Sequence, residues 1–104
     1  MYSIKKLTRS LGEDFDNLLV ILKMLNIKYS LNETEKFDGT EISLIIYSKN
    51  TVTYEIIELW FFEGLEKFEI SGRLYSIGAI KMNFNTMKES IDAIIKLVSE
   101  NFNN

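Results

Sequence analysis

The chain has 104 residues, a mass of 12.1 kDa and a formal net charge of −3, with 46% hydrophobic and 26% charged residues. That size and balance fit one globular domain spanning residues 1–104, with no room for a second core. Neither cysteine nor histidine occurs. Disulfide frameworks, thiol nucleophiles, zinc–thiolate sites and Ser-His-Asp or Cys-His catalysis are therefore excluded, leaving carboxylates, Lys, Arg, Tyr, Ser and Thr for any chemistry.

The first helix is signalled at Ser10-Leu11-Gly12-Glu13, which has capping-box spacing, with acids at Glu13, Asp14 and Asp16 suited to a helix N-terminus. Apolar residues then recur at Leu11, Phe15, Leu18, Leu19, Leu22 and Leu25. Ile4 and Leu7 could extend the stripe backward through Gly12. Val20 and Met24 fall on the side that should face water, so they are either buried between two layers or face a second subunit, as a self-association surface, or a partner.

Ile27 to Leu31 alternates as a strand, Asn32 to Lys36 reads as a polar loop, and Asp38-Gly39 as a turn. Glu41 to Lys49 and Thr51 to Phe62 are dense in β-formers, with a hairpin turn expected at Ser48-Lys49-Asn50-Thr51. Residues 57–68 could also be read as a helix, but Gly64 interrupts them and strand is preferred. Glu66 to Ile70 makes another strand, Ser71-Gly72 a turn, and Arg73 to Phe84 the last strand, bent at Gly78. The closing helix is capped at Asn85 or Thr86, with Thr86 and Glu89 at capping-box spacing. Its stripe is Met87, Ile91, Ile94, Ile95, Val98 and Phe102. The expected architecture is α+β, helix–strands–helix, on a mostly antiparallel sheet of four or five strands.

Function is the harder reading. In Tyr54–Glu63, a bulge near Ile56–Ile57 would bring Leu59 and Phe61 onto the face of Tyr54 and Ile56. Trp60 and Phe62 then point the other way together with Glu58. If helices cover only one side of the sheet, these residues and Glu63 form a partner-binding anchor, because Trp dominates binding hot spots. The alternative is that the face is covered and they are core. Glu55, Glu58, Glu63, Glu66 and Glu69 against Lys67 make the segment acidic, either as a solvated face or as a patch steering toward a basic, nucleic-acid-binding protein.

Direct nucleic-acid binding is disfavoured at pI ≈ 5.0. Glu33, Glu35 and Asp38 lack the spacing of a calcium loop, so neither a metal nor another cofactor is expected. The acids of residues 12–17 argue against a signal peptide, and no apolar run is long enough to span a bilayer. The expected location is cytoplasmic, in the host if the protein is viral. The Ile, Lys and Asn bias points to an A/T-rich gene. By analogy, small α+β proteins without catalytic residues act as phage or mobile-element inhibitors of the anti-defence or immunity type. The leading expectation is a non-enzymatic protein-binding module acting by stoichiometric occlusion. The runner-up is a homodimeric scaffold or chaperone-like protein, joined through Val20 and Met24 or the sheet face. A carboxylate-dependent enzyme comes third.

Overall fold

A computed structural model describes residues 3–49 and 54–102. Its elements run β1 (Ser3–Lys6), α1 (Glu13–Met24), β2 (Lys28–Lys36), β3 (Gly39–Lys49), β4 (Tyr54–Phe62), β5 (Phe68–Leu74), β6 (Gly78–Phe84) and α2 (Met87–Asn101). All strand pairs are antiparallel and the strands lie side by side in chain order from β1 to β6. The α+β class is as expected, but the sheet has six strands rather than four or five.

The extra strand is β1. Ile4 and Leu7 are spaced like helix residues, yet Ser3–Lys6 pairs with the polar half of β2. That half is strand rather than loop because β1 and β3 ladder it on both sides, and its charges find partners along the ladder. Glu33 lies 3.7 Å from Lys5 and 3.3 Å from Arg9, and Lys36 is 3.0 Å from Glu41. The last hairpin also sits elsewhere than expected. Ser71 and Gly72 lie inside β5, and the chain turns at Tyr75–Ile77, where Gly78 opens β6 with φ +93°. Of the turn expected at 48–51, Ser48 and Lys49 belong to β3, while Asn50 and Thr51 lie outside the described residues.

No bulge interrupts β4. Its register with β3 is continuous from Glu41↔Phe62 to Lys49↔Tyr54. Residues 54–62 are strand, not helix. Because side chains alternate, Ile57, Leu59 and Phe61 face one way and Ile56, Glu58, Trp60 and Phe62 the other.

Both helices pack on one side of the sheet. Phe15, Leu18 and Leu22 of α1 and Ile91, Ile94, Leu97 and Val98 of α2 join Ile42, Leu44, Ile46, Ile57, Leu59, Phe61 and Ile70 in one core. Each such side chain contributes roughly 1.5–3 kcal/mol when fully buried, against the entropy of ordering it. Phe61 links the layers, with ring centroids 6.4 Å from Phe15 and 5.0 Å from Phe68. Thr86 caps α2 as expected, its hydroxyl oxygen accepting the Glu89 N–H at 3.1 Å. In α1 the N-cap is Gly12 and Ser10 does not cap. The Ser10 hydroxyl instead donates to Asp16 at 2.6 Å and accepts the Gly12 N–H at 3.2 Å.

Candidate functional site: the outer face of the sheet

With the helices on one side, the other face of the sheet is covered by no element among the described residues. Strand register sets its side chains in rows. One row runs Lys6–Asn32–Ser43–Trp60–Glu69–Asn83, and its neighbours run Ser30–Ile45–Glu58–Ser71–Lys81 and Lys28–Tyr47–Ile56–Arg73–Ala79. A further row is Ile4–Thr34–Glu41–Phe62. The middle of this face is therefore apolar and aromatic, from Ile45, Tyr47, Ile56, Trp60 and Phe62, while most of its charges stand on the strands toward either side.

Trp60 is half-buried by its neighbours, and its indole N–H donates to the Glu58 carboxylate at 3.1 Å. That bond satisfies the polar end of the ring and fixes its orientation, leaving the rest of the ring as contact surface. The Lys36 ammonium stands 5.8 Å from the centre of the Phe62 ring. Beside Trp60 and Phe62 a shallow hollow of about 200 Å³ is bordered by Glu41, Leu65, Lys67 and Glu69.

Trp60, Phe62 and Glu58 thus share one face, whereas Glu63 does not join them. Just past β4, the Glu63 carboxylate accepts two bonds from the Arg9 guanidinium, at 2.6 and 2.8 Å, and Arg9 also reaches Glu33 at 3.3 Å. The Glu63 hydrogen bond, then the two negative charges, raises the Arg9 pKa above its ordinary value. The other acids of this stretch are likewise dispersed. Glu55 is buried and accepts the Tyr75 N–H at 3.2 Å, and Glu69 lies 3.4 Å from Lys81. No continuous acidic patch exists along residues 55–69, because Glu55 points to the helix side, Glu58 and Glu69 stand on the outer face on either side of Trp60, and Glu63 and Glu66 lie in the connection between β4 and β5.

Val20 and Met24 stand on the solvent side of α1, 53% and 79% exposed. Among the described residues no three acidic side chains converge as a metal site, and Glu33 and Glu35 are strand residues rather than parts of a loop. No described helix is long and apolar enough to cross a membrane. Ile45 and Tyr47 were legible only in retrospect. In the run Ile42–Tyr47 one phase is Ile42, Leu44 and Ile46 and the other carries Ile45 and Tyr47 after Ser43, which marks a strand with two faces to cover.

No protein family, curated protein or solved structure matches the chain. The geometry alone carries the functional reading.

Proposed function

We propose that this chain is a non-enzymatic protein-binding module that occupies a partner protein stoichiometrically through the outer face of its sheet. The observation that carries the reading is a Trp held by an internal bond to Glu58, on an uncovered face, beside Phe62 and a hollow the size of one partner side chain. A rigid aromatic next to a recess is the arrangement that concentrates binding energy at protein interfaces. Charge separation supports a protein partner with an apolar centre and acidic margin. The acids Glu41, Glu58 and Glu69 are already engaged, by Lys36, Trp60 and Lys81, while Lys28 and Arg73 have no ion-pair partner among the described residues. This differs from the basic partner that the sequence suggests, since the acids that suggested it do not form a patch.

The test is capture with the tagged chain from lysate of the source organism or its host, washed at high salt and treated with nuclease. One stoichiometric protein should be retained by the wild type and lost with Trp60→Ala and with Glu58→Lys, both variants melting as the parent does. Retention by both variants would sink the reading. Recovery of the bait alone, running as a dimer, would instead favour the homodimeric scaffold, for which the exposed Val20 and Met24 speak.

A further inference from the structure

The first residues of β2 lie along an open edge of the sheet. β1 pairs with β2 only from Asn32 to Glu35, and the Leu7 N–H adds one more bond to the Leu31 carbonyl at 3.0 Å. The chain then leaves through Thr8–Gly12 to α1, so among the described residues Lys28–Ser30 run beside no strand on that side. In an antiparallel ladder a residue's N–H and C=O point to the same side, and successive residues alternate. Leu31 bonds toward β1, so Tyr29, two residues earlier, directs both its backbone groups out of the open edge. Lys28 and Ser30 direct theirs to β3.

A groove of about 860 Å³ lies against this edge. Tyr29 and Leu31 project toward the helices, and Ser30 and Asn32 project to the outer face, yet all four border the groove. A space met by both phases of one strand runs along the strand's edge. Its far wall is α1, where Asp16, Leu19 and Lys23 share one side of the helix.

Charge indicates what would fit. Lys6 and Lys23 border the groove and Lys28 adjoins it, and none has an ion-pair partner among the described residues. Arg9, also at the rim, is taken by Glu63 and Glu33. The one acid, Asp16, accepts the Ser10 hydroxyl. On a chain of net charge −3, this corner holds free cations beside unpaired backbone groups. The opposite edge differs, since the single basic residue of β6 is Lys81, already paired with Glu69.

We infer that the β2 edge accepts an acidic, extended peptide segment of another protein as an added strand. The segment continues the line of β1, exchanges backbone hydrogen bonds with Tyr29, lays an apolar side chain against Leu19 on the helix side, and on its outer phase brings carboxylates to Lys6 and Lys28. The open stretch is only about 10 Å long at roughly 3.3 Å per residue. Backbone pairing is thus limited, and the charges supply much of the attraction, which salt weakens. This inference goes beyond the sheet-face reading and does not rest on Trp60 or Phe62.

The test uses the full chain and an acetylated, amidated heptapeptide of alternating Val and Glu, with solvent exchange of the Tyr29 amide followed by NMR. At a peptide concentration ten times its Kd, Tyr29 exchange should slow about tenfold. The double variant Lys6→Glu, Lys28→Glu should raise Kd about tenfold from two lost charge contacts. Trp60→Ala should leave Kd unchanged, which keeps this site's fate separate from that of the sheet face. The inference is overturned if no saturable binding occurs, if Tyr29 exchange is unaffected at saturation, or if a Val–Lys heptapeptide binds as well. Displacement of the peptide by a tighter-binding oligothymidylate would assign the groove to nucleic acid. Slowing of Tyr29 exchange with protein concentration alone would assign it to a second copy, and either result overturns the peptide.

Discussion

Gly72 shows how much one side chain's absence decides. It sits inside β5, opposite Ile57, outside the left-handed region, and a Cβ there would overlap the Ile56 carbonyl oxygen and lie 3.1 Å from the Ile57 Cα. The contact is with backbone, which cannot swing aside. Gly72→Ala should therefore cost about 2 kcal/mol or more, lowering Tm by roughly 10 °C, as overpacking a fitted interior does. Ser71→Ala, one residue away on the outer face, should stay within about 0.5 kcal/mol of the parent. Equal melting of the two variants would refute this. The same glycine explains a misplaced hairpin, since Ser-Gly is a turn pair by composition. Only the approach of β4 reveals that the residue is needed for its lack of a side chain. Trp60 was legible for the opposite reason, because alternation along β4 needs no knowledge of neighbours. Glu63 was not, because its link to Arg9 spans fifty-four positions and leaves no local trace.

At the scale of elements, legibility follows how local the stabilising contacts are. α2 carries its own start signal, and Thr86 accepts the Glu89 N–H while its hydroxyl donates to the Glu89 carboxylate at 2.9 Å. Thr86→Ala should cost about 1 kcal/mol, seen as a lower denaturant midpoint with unchanged slope. Ser10→Ala should cost less, because Ser10 lies before the Gly12 N-cap and satisfies Gly12 rather than the first helical turn. If the two costs were reversed, the assignment of the caps would be wrong. β1 and the polar half of β2 are the converse case. Glu33 and Glu35 read as loop residues until Lys5 stands across from them, at 3.7 and 3.9 Å. Strands assembled by long-range charge pairs have no sequence period to announce them.

The whole molecule is two layers deep, so its two unexplained apolar surfaces lie on opposite sides. Val20 and Met24 face away from the sheet across α1, and Trp60 and Phe62 face away from the helices. A second copy covering one need not touch the other. Laid face to face about a two-fold axis parallel to the strands, two sheets would bring Lys28 of one copy against Arg73 of the other, a like-charge contact that costs energy in a drying interface. Self-association, where it occurs, should therefore use α1 and leave the sheet face open to a foreign partner. Trp60 reports on this directly, being the chain's single Trp. Acrylamide, a neutral quencher unaffected by Glu58, should quench its fluorescence equally from low to high protein concentration, while sedimentation follows the mass. If the mass rises with concentration, Val20→Lys or Met24→Glu should return it to the monomer without altering quenching. Loss of quenching in step with the rise in mass would place the second copy on the outer face. Trp60 would then be a dimer anchor, and the face would be closed to the partner proposed for it.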